Sequence, residues 1–127
     1  MNDKKPDGVT HFIKAFHWSL AGFRAAWQNE TAFRQEVVGM LFFVPLGFWL
    51  GESAIEQALL VASMLLILVV ELINSAIEAV VDRVGLEHHP LSGRAKDLGS
   101  AAVFVTLAIT GVIWLVFILE KYQNFVN

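Results

Sequence analysis

From Leu98 to Leu119 the chain carries no Asp, Glu, Lys or Arg, and Asp97 and Glu120 close that run at its two ends. At about 1.5 Å of rise per residue, a helix of this length crosses the ~30 Å hydrocarbon core of a bilayer. Few other structures absorb such a run, because a backbone in lipid must satisfy its own N–H and C=O groups. Two more uncharged runs precede it, Val37 to Leu50 and Ala58 to Val70. The first is short for a span, but Ala32 and Phe33 extend it at its start. The pattern predicts membrane spans over 32–50, 54–82 and 97–119. Composition agrees: 56% hydrophobic residues and a mean hydropathy of +0.58 exceed what a soluble domain of this length needs.

The remaining segments fit around these spans. Residues 1–8 are polar and read as a frayed tail. Over 9–29, Phe12, Ile13, Phe16, Leu20, Phe23 and Trp27 recur at helical spacing while Lys14, His17 and Arg24 take other positions, the pattern of an amphipathic helix in the membrane interface. Glu30 and Arg34, four residues apart, read as a surface ion pair. Pro45 is expected to bend the first span, and Gly51-Glu52-Ser53 to form a tight turn. Gly85 and Pro90 break the chain in a loop over 83–96, and 120–127 is a short polar tail. The expected fold class is an all-α integral membrane protein, one domain with an interfacial helix and three transmembrane helices.

Of nine Lys and Arg residues, only Lys121 falls beyond the last span. The other eight lie in the N-terminal segment or in the stretch from Arg83 to Lys96, so the positive-inside rule makes that side, with the N-terminus, cytoplasmic. The absence of cysteine excludes a disulfide framework, a thiol nucleophile and an iron–sulfur site, and a net charge of −3 gives no nucleic-acid footprint. Any metal must be held by oxygen or imidazole.

The informative stretch is the end of the second span. Glu71, Asn74, Ser75, Glu78 and Asp82 fall at i, i+3, i+4, i+7 and i+11, one face of a helix, while Leu72, Ile73, Ile77, Val80 and Val81 face elsewhere. A lone Asn or Ser on such a face usually serves helix packing. Carboxylates need a stronger reason, since each costs about 2.5–3.5 kcal/mol at the bilayer centre. A divalent cation shared by two of them offsets that cost. The topology adds Glu30, Arg24, His88, His89, Lys96 and Asp97 at the same interface. Carboxylates for a hard cation, with Lys and Arg for phosphate, suit phosphoryl transfer, in which the protein positions the acceptor, neutralises charge and supplies a base. No G-x-x-x-x-G-K-[ST] stretch is present, so the chemistry is not that of a P-loop.

Glu71-Leu-Ile-Asn74-Ser75-Ala-Ile-Glu78-Ala-Val-Val-Asp82-Arg83, followed by Gly93-Arg-Ala-Lys96-Asp97 and Gly99-Ser100-Ala-Ala, resembles the signature of the small bacterial membrane-integral diacylglycerol kinases. Trp27-Gln-Asn-Glu30 and Ala32-Phe-Arg34-Gln-Glu36 match as well, so the resemblance covers about residues 10–119. It implies a homotrimer with active sites shared between subunits, in the bacterial inner membrane, phosphorylating diacylglycerol with ATP and Mg²⁺. By this resemblance Glu71 is the general base, Glu30 and Glu78 bind the metal, and Asn74 orders the site. His11, Trp18, Glu30, Glu78, Glu87, His89, Lys96 and Asp97 match nucleotide-contacting positions, with His11 and Trp18 standing where close relatives carry an Arg and a Tyr. Lys96 meets the transferring phosphate. The lipid pocket is matched by Arg24, Ala25, Ala26, Trp27, Ala32, Phe33, Arg34, Gln35, Glu36, Trp49, Ser100 and Trp114, together with Glu71.

Two other functions fit parts of the same sequence. One is an undecaprenol kinase of the same family. The other is a small oligomeric ion or proton-coupled transporter that uses Glu71 and Glu78 as a membrane relay, and in that case Lys96, Asp97 and Glu30 are bystanders.

Overall fold

The computed structural model describes residues 8–126. Of the expected frayed tail over 1–8, residues 1–7 lie outside the described residues and Gly8 opens the first helix. Four helices follow in order: α1 (Gly8–Asn29), α2 (Thr31–Leu50), α3 (Ala54–Val84) and α4 (Pro90–Val126). The connection from α2 to α3 is the expected Gly51-Glu52-Ser53 turn. It is tight because Gly51 lies against Gln57, whose Nε2 donates to the carbonyls of Phe48 and Gly51, each at 3.1 Å. A side chain at position 51 would come within 2.7 Å of the Gln57 backbone nitrogen. Ser53 caps the start of α3, its Oγ accepting from the Glu56 N–H at 3.2 Å, while Glu56 Oε2 reaches back to accept from the Glu52 N–H at 2.8 Å.

Two boundaries differ from the expected ones. The loop expected over 83–96 shortens to five residues, Gly85 to His89, and α4 begins at Pro90 rather than at 97. Proline suits a first helical position, where its missing N–H has no partner to lose and its fixed φ is already helical. The expected polar tail over 120–127 is likewise helical through Val126. Hydropathy marks where a helix is apolar, whereas the hydrogen-bonded ladder continues into the polar layer on both sides. α2 continues through Pro45.

α3 lies between α2 and α4, and α1 rests mainly on α2. The core gathers Leu60, which is fully buried, with Met40, Leu50, Met64, Ile67 and Trp114. Gly47 lets α2 come close: a Cβ there would lie 3.3 Å from Leu60 Cβ and 3.5 Å from the Trp114 ring. Thr110 Oγ1 donates to the Ser63 carbonyl at 3.1 Å, and Ser63 Oγ to the Leu60 carbonyl at 2.8 Å. The first of these bonds joins α4 to α3 where apolar contact alone has little to gain over lipid, and the second lies within α3. Phe42, Phe104, Val112 and many other large apolar side chains remain exposed on the single chain. α2, α3 and α4 are each long and apolar enough to cross a membrane. The protein is an all-α membrane protein, and its exposed apolar surface is what lipid or neighbouring chains would cover.

Candidate active site

The site begins at the break between α1 and α2. Glu30 has extended backbone, φ −108° and ψ 113°, so α1 ends and leaves its last carbonyls without helical partners. Arg34 satisfies two of them. Its Nη1 donates to the Trp27 carbonyl at 2.8 Å and to the Gln28 carbonyl at 3.3 Å, and its Nη2 to Thr31 Oγ1 at 3.0 Å. The expected Glu30–Arg34 ion pair is not among the salt bridges of the described residues. The guanidinium fork is drawn instead to a cluster of oxygens at a helix C-terminus, where a cation is favoured. The Glu30 carboxylate is thereby left to the cavity beside it.

That cavity, about 460 Å³, is lined by Asn29, Glu30, Thr31, Ala32, Glu71, Asn74, Glu78, Ser100 and Val103. Three carboxylates therefore border one space, two from the α3 stripe and one from the α1–α2 break. Glu71 and Asn74 are buried, at 5% and 9% exposure, and Glu78 and Glu30 are half-buried. Asn74 Nδ2 donates to Glu78 Oε1 at 3.1 Å across one helical turn. Its Oδ1 is buried without a hydrogen-bond partner and lies against Gly99 of α4, where any Cβ would collide with it. Glycine at 99 is thus what allows α4 to close over Asn74. Gly99→Ala forces Asn74 or α4 to move, an overpacking that costs about 1–3 kcal/mol of stability. The expected result is a protein that still assembles but melts earlier and has lost most of its turnover, read by thermal denaturation and by initial rates in the same detergent.

A second hollow, also about 460 Å³, surrounds the α3–α4 connection and brings together Asp82, Glu87, His88, His89, Lys96 and Asp97. His89 Nδ1 accepts from the Leu91 N–H at 3.2 Å and caps the start of α4, which leaves Nε2 as the donor of the neutral ring. Lys96 Nζ lies 2.6 Å from Asp82 Oδ1.

Other expected site residues lie apart from these two spaces. Ala25 and Ala26 border a groove of about 550 Å³ between α1 and α3 that shares Glu30 with the first cavity. Gln35 and Glu36 border a hollow of about 250 Å³ with Met40, Phe43 and Leu107, and there Glu36 Oε2 is buried without a partner. Phe33 is buried at 4% exposure. Trp27 is half-exposed and Arg24 exposed. His11 and Trp18 are exposed on α1 and line neither carboxylate cavity nor loop hollow. Trp49 stands at the opposite end of the bundle, 5.4 Å below the Lys121 ammonium. Trp114 is in the core, edge-on to Phe43 with ring centres 5.4 Å apart. Sequence reasoning passed over Asn29, Thr31 and Val103 as lining residues, and Gly99 as the small residue that closes the cavity. Ser75, on the same stripe in sequence, has its Oγ buried without a partner and borders the groove between α1 and α3 rather than the carboxylate cavity.

Compared with known proteins, the chain matches the model of the prokaryotic diacylglycerol kinase family over residues 17–118. It belongs to that family. The match takes in both hollows and leaves His11 outside. The diacylglycerol kinase of Haemophilus influenzae is 52% identical over 110 residues, covering 87% of this chain and 93% of that protein. That of Escherichia coli K12 is 51% identical over 115 residues, covering 91% and 94%. A more distant diacylglycerol kinase, from Helicobacter pylori J99, is 40% identical over 120 residues, covering 94% of each. Membership of a kinase family favours the kinase reading over the transporter one.

Proposed function

We propose that this member of the prokaryotic diacylglycerol kinase family transfers the γ-phosphoryl group of ATP to the primary hydroxyl of diacylglycerol, giving phosphatidic acid and ADP at the cytoplasmic face of the bacterial inner membrane. The observation that carries this reading is the convergence of Glu30, Glu71 and Glu78 on one cavity at the end of a membrane helix. Glu71, the most buried of the three, is the base. As the lipid oxygen forms its bond to the γ-phosphorus, the bond from that phosphorus to the β–γ bridging oxygen breaks and ADP leaves. The hydroxyl proton passes to Glu71 and then to water. Asn74, which donates to Glu78 Oε1, holds that carboxylate in the cavity it shares with the base.

Glu30 and Glu78 suit Mg²⁺. Among the described residues no three His, Asp or Glu side chains converge closely enough to hold an ion by themselves. Two carboxylates with phosphate and water oxygens are the donor set that Mg²⁺ ordinarily takes. Bound there, it would neutralise charge on the β- and γ-phosphates. Lys96 meets the transferring phosphate, while Glu87, His89 and Asp97 hold the nucleotide in the hollow around the loop. The lipid acceptor does not leave the membrane, because exposing its chains costs about 0.8 kcal/mol per CH₂. ATP therefore comes to the interface, on the side where eight of the nine cationic side chains lie. Three copies form the working unit. The small residues Gly22, Ala26, Ala76 and Ala79 around the α1–α3 groove suit close approach of a neighbour's helix, and a second copy would close the open side of the site.

The test is an assay in mixed micelles with labelled ATP, offering diacylglycerol and undecaprenol separately. Label in phosphatidic acid is the expected result. Label only in undecaprenyl phosphate would reassign the acceptor, and label in neither lipid would end the kinase reading.

A further inference from the structure

Among the charged residues of the α3 stripe, Asp82 is the one that phosphoryl transfer leaves without a task. It stands one helical turn beyond Glu78 on the same face. Its Oδ1 accepts from the Lys96 ammonium at 2.6 Å, whereas the other ion pair of the described residues, Lys121 with Glu52, spans 3.2 Å. Both partners are well exposed, the Lys96 side chain at 40% and Asp82 at 52%. Exposed pairs of this kind contribute little to stability, because solvent screens the charges and two side chains must be held still. Placement gives this one its significance. Asp82 and Lys96 face the same hollow as Glu87, His89 and Asp97. A lysine has four flexible carbons and no fixed direction, so an ammonium that must meet a phosphate gains from a nearby anion that narrows its positions. It also has three N–H donors, so one bond to Asp82 leaves two for phosphate oxygens.

We infer that Asp82 is a positioning residue that holds the Lys96 ammonium at the loop hollow, oriented for the transferring phosphate. This rests on the proposed role of Lys96 at that phosphate. Removing the carboxylate loosens Lys96 without weakening nucleotide binding, since an anion near the phosphates repels them in the ground state. The loss therefore falls on kcat. A pair that merely clasped the α3–α4 connection would act differently: its removal would disturb Glu87 and His89 and raise the KM for Mg·ATP.

The experiment compares full-length wild type, Asp82→Asn, Asp82→Glu and Lys96→Met in mixed micelles with diacylglycerol, measuring kcat, the KM for Mg·ATP and the melting temperature. Asp82→Asn is expected to lower kcat about tenfold while KM stays within about twofold and melting is unchanged. Asp82→Glu should recover most of the rate, because the flexible lysine stem accommodates one more methylene. An Asp82→Asn protein that keeps more than about half of wild-type kcat beside an inactive Lys96→Met overturns the inference alone. So does one whose KM rises with kcat intact, or whose melting temperature falls together with its rate. A Lys96→Met protein that turns over like wild type removes the phosphate role of Lys96, and the inference goes with it.

Discussion

Glu71→Gln lowers kcat by about 10²- to 10⁴-fold, the range that loss of a positioned general base produces, and leaves nucleotide binding and assembly in place. Glutamine keeps the size and one oxygen of the glutamate, so the cavity retains its shape. What it lacks is the ability to accept the hydroxyl proton, a need that arises only as the oxygen–phosphorus bond forms. The stability of the variant should not fall. Glu71 is 5% exposed and shares its cavity with two other carboxylates, so neutralising it removes both a desolvation cost and a repulsion. Loss of turnover with an unchanged or higher melting temperature marks a residue kept for chemistry rather than for folding. Initial rates at saturating Mg·ATP and diacylglycerol, with a parallel melt, check both parts. A variant that retains more than about a tenth of the wild-type rate, with the same pH dependence, is not missing its base.

The second large effect is on the metal. Glu30→Gln and Glu78→Gln each raise the Mg²⁺ concentration needed for half-maximal rate by about tenfold or more, with part of the rate recovered at high Mg²⁺, because a neutral amide oxygen is a poorer ligand for a hard cation than a carboxylate. The Glu78 variant is the cleaner of the two. Its Oε1 can still accept from Asn74 Nδ2, so the hydrogen bond that orders the cavity survives while the charge is lost. At Glu30 the backbone is already extended and Arg34 is held by the Trp27 and Gln28 carbonyls, so the substitution should not reopen the α1–α2 break. A titration of rate against Mg²⁺ at fixed ATP measures the effect. The same Mg²⁺ dependence in wild type and both variants would remove the metal assignment.

Much of the candidate site could be read from residue order because it lies on one regular helix. Glu71, Asn74, Glu78 and Asp82 share a face by helical period alone, and the long apolar segment before them makes that face an interfacial one. The same logic found the three spans and the Gly51–Ser53 turn, since hydropathy and glycine both act over a few neighbouring residues. It failed where the polar ends of helices had to be told from loops. Residues 90–96 carry Ser92, Arg94 and Lys96 and read as loop, yet they form the first turns of α4. Arg34 is a further case. Four residues from Glu30, it looked like an ion-pair partner, but the break at Glu30 exposed carbonyls that an i+4 pattern presumes to be satisfied.

Sequence by itself determined the class of the molecule, three apolar helices in a membrane, and the carboxylate face that ends the second of them, because both follow from local period and from the cost of placing charge in lipid. Tertiary structure decided which groups meet. The approach of Glu30 to Glu71, the closing of Gly99 over Asn74, the pairing of Lys96 with Asp82 and the retreat of Trp114 into the core all depend on how α2, α3 and α4 pack and on where the chain turns between them. Helices in lipid choose their neighbours by close packing and a few polar contacts, which involve residues far apart in the chain, and no local pattern records that choice.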